Sequence, residues 1–101
     1  MRLIEKEMLE AIKYGRDWAK DNTRVNIDSG ERFIASWCAD VYLHGHHIAE
    51  VRCRMGGDDR VEVNLDTLRN WPTRTTMSRL RALGVDVCTR KGEVMLNGEA
   101  I

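Results

Sequence analysis

Phe33-Ile34-Ala35-Ser36-Trp37-Cys38-Ala39-Asp40-Val41-Tyr42-Leu43 is the stretch that decides the fold. Phe33, Ala35, Trp37, Ala39, Val41 and Leu43 are all apolar at a strict period of two, and the residues between them are mixed. Successive side chains of a strand point to opposite faces, so residues 32–43 read as a strand with one buried and one partly wet face. His44-Gly45-His46 turns the chain, and His47-Ile48-Ala49-Glu50-Val51-Arg52-Cys53-Arg54 returns as a second strand. Gly56-Gly57-Asp58-Asp59 reads as another turn. Arg60-Val61-Glu62-Val63-Asn64-Leu65 alternates again, with Val61, Val63 and Leu65 inward. The product is a three-stranded antiparallel meander.

Helical patterns flank it. Ile4, Met8, Ala11, Ile12, Gly15, Trp18 and Ala19 recur at spacings of three and four, which predicts a helix over 3–20 that Asp21-Asn22 ends. Its glutamates come early and its basic residues late, as the helix dipole favours. Val25 and Ile27 make a short edge strand or belong to a loop before a turn at Ser29-Gly30. After the meander, Trp71-Pro72 leads into a second helix with Thr73 or Thr75 as N-cap, a seam of Met77, Leu80 and Leu83, and Gly84 as the stop. Val85 to Thr89 returns to strand, Lys91-Gly92 turns, and Glu93 to Gly98 is a last strand or a tail. The order α-β-β-β-α-β-β predicts an α+β fold, a two-layer sandwich with two helices on one face of an antiparallel sheet of four to five strands. At 101 residues, one domain over 1–101 is expected.

Composition narrows the function classes. Hydrophobic residues make 43% of the chain and charged residues 32%, a globular balance that neither disorder nor a membrane span would give. The first residues mix acids among their apolar neighbours, so no secretory signal is expected. Three cysteines, Cys38, Cys53 and Cys88, form no CxxC pair and read as buried free thiols in a reducing compartment, here the cytoplasm. The formal net charge is zero, which argues against a strongly basic nucleic-acid binder. The charge is unevenly spread, however. Arg69, Arg74, Arg79, Arg81, Arg90 and Lys91 fall within 23 residues that hold a single acid, Asp86. A local basic block on a neutral chain still steers an acidic partner.

Groups that carry chemistry are sparse. His44, His46 and His47 are the only histidines, and in an extended strand the first and third of the run His44-Gly45-His46 share a side. With Cys38 or Cys53 nearby they meet part of a zinc requirement, but the second close ligand pair is missing, and surface histidines on a hairpin are the plainer reading. No cofactor or metal is expected. No cysteine opens a helix or follows a turn, and the nucleophile-elbow, phosphate-loop and zinc-protease motifs are absent, so no enzymatic activity is expected. The basic helix is the remaining candidate. Arg74 and Arg81 fall off the apolar seam, Arg79 flanks it and either snorkels or meets an acid, and Thr75 sits at the helix start. An ordinary solvated face is the plain reading; a docking surface for oxyanions is the functional one, because arginine binds them bidentately.

Two resemblances attach to these motifs. Val41-Tyr42-Leu43-His44-Gly45, Ile48-Ala49, Trp71-Pro72-Thr73-Arg74-Thr75-Thr76 and Arg79-Leu80, with the ending Cys88 to Gly98, resemble a pattern of small tailed-bacteriophage proteins across residues 14–98. That resemblance implies an intracellular accessory protein acting in the host bacterial cytoplasm. Such proteins often bind and disable a host or defence protein, CRISPR effectors and other nucleoprotein complexes included. The second is topological: helix, three strands, helix resembles double-stranded RNA-binding domains, with His44, His46, Arg74 and Arg79 near the places where those domains put binding groups. The lysine cluster of that family is absent here, and strands continue past the second helix. The leading expectation is a non-enzymatic inhibitor or modulator of a host protein with an acidic surface. Its contact residues are Arg74, Thr75, Arg79, Arg81, His44, His46 and His47. A nucleic-acid module using the same helix is the alternative.

Overall fold

Gly15 stops the first helix earlier than its apolar pattern predicts. In the computed structural model, which describes residues 2–28, 36–54 and 59–101, helix α1 spans Leu3–Tyr14. Gly15 takes a left-handed φ of 64°, and its N–H returns to the Ile12 carbonyl. Glycine adopts that conformation without a Cβ penalty, so it ends helices readily. Trp18, Ala19 and Lys20, expected in the helix, instead form strand β1 (Trp18–Lys20). Trp18 still packs against the core from there.

Strands β2 (Thr23–Asp28), β3 (Ser36–Leu43), β4 (His46–Arg54) and β5 (Arg60–Val63) complete a five-stranded antiparallel sheet in the order β1-β2-β3-β4-β5. Val25 and Ile27 thus lie in an interior strand rather than at an edge. The alternation of residues 33–43 is realised from Ser36 onward: Ala39, Val41 and Leu43 are buried and Trp37 is half-buried. Phe33 and Ala35, the Ser29-Gly30 turn and Gly56, Gly57 and Asp58 lie outside the described residues. The β3–β4 turn has positive φ at both His44 (52°) and Gly45 (80°), the mirror-image turn that matches strand twist in two-residue hairpins. A register shift between Val41 and Tyr42 sets Tyr42 opposite His47.

The third strand stops at Val63. Asn64 accepts the Thr67 N–H through its side chain at 3.1 Å and caps a helix, α2 (Leu65–Asn70), where the sequence pattern continues a strand. Leu65 is consequently 38% exposed rather than inward, and Leu68 takes the core position. Helix α3 (Arg74–Ala82) follows, capped by the Thr73 hydroxyl on the Thr76 N–H. Met77 and Leu80 are buried as the seam predicts, and Leu83, just past the helix, is half-buried. Strands β6 (Val87–Arg90), β7 (Glu93–Leu96) and β8 (Glu99–Ala100) form a separate three-stranded sheet. The fold is α+β with the expected elements in the expected order, and α2, β1, β8 and the division into two sheets are added to them.

The core lies between the helices and one face of the large sheet. Met8, Ile12, Leu68, Met77 and Leu80 meet Val25, Val41, Ile48 and Val51 there. Fully burying such a side chain is worth about 1.5–3 kcal/mol each. The other face carries Arg24, Asn26, Tyr42, His47, Glu50 and Arg52, so the sheet has one dry and one wet side.

Candidate functional site

Arg79 is not on the surface. Its side chain is 3% exposed, and its guanidinium lies 2.8 Å from the Glu5 carboxylate and 3.0 Å from the Thr23 hydroxyl. Ser78 donates its hydroxyl to the same Glu5 oxygen. Burial raises the Glu5 pKa, but the Ser78 hydroxyl and the Arg79 guanidinium outweigh it and hold the carboxyl below its usual 4.5. A charge taken out of water needs a partner with hydrogen bonds, and Glu5 supplies both. Arg79, expected among the contact residues, therefore ties α3 to α1 and β2 and is not available to a partner.

The network continues outward. Thr23 donates to Asn22 at 2.9 Å, the Asn22 amide sits 3.4 Å from His44 Nε2, and the Asn22 carbonyl accepts the His44 N–H at 2.8 Å. The β1–β2 turn and the β3–β4 turn are thus laced side by side. Between them lies a groove of about 360 Å³, lined by Asn22, Arg24, Tyr42 and His44 among others.

The three histidines diverge. His44 occupies a left-handed turn rather than a strand, so it does not share a side with His46 by strand alternation. His46 stacks on Trp71, ring centroids 4.2 Å apart and 25° from parallel. His47 points to the wet face, where Nε2 lies 2.9 Å from Asp40 and Nδ1 lies 3.1 Å from the Asn64 amide nitrogen. The Asn64 oxygen is already bound to Thr67, so its NH2 faces His47; Nδ1 accepts, and Nε2 carries the proton to Asp40. Among the described residues no three His, Cys, Asp or Glu side chains group so as to hold a metal.

Of the other predicted contact residues, Arg74 is exposed at the start of α3 and Thr75 is half-buried. Arg81 is exposed at the far end of the helix, with its Nε on the Val87 carbonyl at 2.8 Å. What the structure does bring together is the histidine hairpin and the start of the second predicted helix, through His46 and Trp71. Trp71, which leads into that helix, is 47% exposed. On the wet face of the same hairpin, the Arg24 guanidinium covers Tyr42 at 4.6 Å, and Tyr42 meets His47 edge-on at 5.3 Å. Arg24 and Tyr42 carried no signal in the sequence beyond alternation, because their pairing depends on the β2–β3 register that sets them opposite each other.

Cys38 and Cys53 are held as protonated thiols at neutral pH. Burial, with Asp59 nearby, pushes Cys53 up to about 12, and burial with the Glu50 charge raises Cys38.

A family model described as Kyanoviridae Gp96 protein matches residues 1–100, and the chain belongs to that bacteriophage protein family. No curated protein matches the chain, and no solved structure does. No helix among the described residues is long and apolar enough to cross a membrane.

Proposed function

We propose that this phage protein works by binding rather than by catalysis. Its hairpin end docks onto an acidic surface of a host or defence protein in the host bacterial cytoplasm and inhibits or modulates it. The observation that carries the reading is Trp71, a large aromatic left 47% exposed and held flat against His46. Binding energy at protein interfaces concentrates in Trp, Tyr and Arg anchors. Trp71 against His46 and Arg24 over Tyr42 flank the β3–β4 hairpin, Arg74 follows Trp71 by three residues, and the exposed cations select an acidic partner. Two groups that could do chemistry are otherwise engaged: both His47 nitrogens have partners, and Cys53 is held as a thiol.

The test is capture from infected host cells with tagged wild type, Trp71→Ala and Arg24→Glu/Arg74→Glu, followed by affinity measurement on the captured protein. Loss of a hot-spot tryptophan is expected to weaken binding about 30-fold or more. Binding indifferent to both variants overturns the reading. So does micromolar binding of duplex RNA or DNA at low salt that is lost in Arg74→Ala, which assigns the surface to nucleic acid instead. Burial of Arg79 already removes one cation from that alternative.

A further inference from the structure

Strand β5 ends the five-stranded sheet, so among the described residues no strand neighbours its outer side. The β4–β5 register, together with the bond from the Asn64 N–H to the Ile48 carbonyl, fixes what that side presents. Asn64 and Ile48 hold a hydrogen-bonded position of the ladder. Glu62 and Arg60, two and four residues back, therefore turn their N–H and C=O groups toward β4 as well. Val61 and Val63 aim theirs outward at the open edge. An unpaired edge of this kind is a template for another strand.

Its side chains are unbalanced within the chain. Arg60 faces Arg52 and Glu62 faces Glu50 across the ladder, so like charges stand opposite each other. Arg52 resolves its side by reaching Glu50 at 2.9 Å and Glu62 at 3.6 Å. Arg60 is exposed and forms no ion pair among the described residues. On the helix-covered side, the edge borders a groove of about 670 Å³ whose apolar wall includes Val61, Val63, Leu83 and Leu96, with Asp59 and Asn97 also lining it.

We propose that this edge pairs with a second copy of the chain, β5 against β5, antiparallel about a two-fold axis through Val61. Three registers keep the outward backbone groups in phase, centred on residues 60, 61 and 62. Centring on Arg60 sets arginine against arginine, and centring on Glu62 sets glutamate against glutamate. Centring on Val61 sets Arg60 of each copy beside Glu62 of the other, twice over. The same register lets the two Val61 residues exchange both backbone bonds, and it brings the Val61 side chains together beside the grooves. The strand is complementary to itself in charge, hydrogen bonding and apolar face, which is what an isologous contact requires and what an unrelated peptide would have to match by chance. Neither Trp71 nor the histidine hairpin takes part, so the inference stands apart from the function proposed above.

Sedimentation equilibrium on the intact chain tests it, with circular dichroism confirming that each variant is folded. Wild type is expected to dimerise. Glu62→Arg alone and Arg60→Glu alone each turn two attractions into two repulsions and are expected to weaken the dimer about tenfold or more. An equimolar mixture of the two single variants restores opposite charges across the axis and is expected to recover association as a heterodimer. A wild type that stays monomeric at about 0.1 mM, weaker than any useful strand pairing, overturns the proposal. A dimer that both single variants leave undiminished, or a mixture that fails to recover, overturns it equally.

Discussion

Arg79→Met is the most informative single change. It removes a guanidinium that is 3% exposed from a carboxylate that is 5% exposed. Glu5 is then left buried with the Ser78 hydroxyl, and Thr23 loses the donor at 3.0 Å. Breaking a buried pair by deleting one partner costs about 3–5 kcal/mol. A domain of this size has about 5–15 kcal/mol in total, so the variant sits near the edge of folding. With a urea slope of about 1.5 kcal/mol per molar, the unfolding midpoint falls by about 2–3 M. Replacing both charges, Glu5→Met/Arg79→Met, is expected to recover at least half of the loss. The remainder reflects Ser78, left without its acceptor, and Thr23, which loses the Arg79 donor but keeps Asn22, at about 1 kcal/mol for each lost bond. Acid titration adds an independent readout. Glu5 holds its proton less tightly folded than unfolded, so its contribution is complete above about 4.5 and is lost as pH falls through the lower folded value. That acid limb should flatten in Arg79→Met. A cost below about 1 kcal/mol, the range of a surface pair, refutes the reasoning and returns Arg79 to the surface as a contact residue.

Further expectations concern caps, turns and thiols. Asn64→Ala removes the α2 cap and the donor to His47 Nδ1, and thermal unfolding should show a loss of about 1–2 kcal/mol. Gly15→Ala finds ordinary contact space, its Cβ 3.6 Å from the Trp37 ring, so its cost of about 1–2 kcal/mol comes from the left-handed φ alone. Cys53 should resist a thiol reagent at pH 8 in the folded protein and react once urea unfolds it, because only the thiolate attacks.

The strands of the meander were legible because a period of two is written by burial alone: each inward position from Trp37 to Leu43 had to be apolar. The second predicted helix was legible for the same reason at a period near three and a half. The missed elements depend on signals that compete with a periodic pattern. Leu65 continues the alternation of Val61 and Val63, and that continuity masks Asn64 as a cap, although an acid follows in the first turn at Asp66. Asn97-Gly98 is a strong hairpin signal, and it makes a two-residue turn between β7 and β8 with φ of 53° and 83°. The two residues of β8 were too few to show any period of their own. Arg79 was illegible for a different reason. Its partner lies 74 residues away on another helix, and no local pattern encodes that meeting.

That distance changes what the basic block means. In sequence, six cations crowd around one acid and suggest a single patch. In the fold, Arg79 is internal, Arg69 lies 3.8 Å from Asp66, and Arg81 gives its Nε to a backbone carbonyl. Arg90 and Lys91 stand at the β6–β7 turn of the second sheet. Arg74 remains exposed, with no side-chain hydrogen bond or ion pair among the described residues, and Arg24, from outside the block, joins it in the proposed surface. Local charge density along a chain therefore misplaces this surface. Aromatic contact across the fold, His46 on Trp71 and Arg24 on Tyr42, locates it better, because stacking requires the elements to meet and a run of arginines does not.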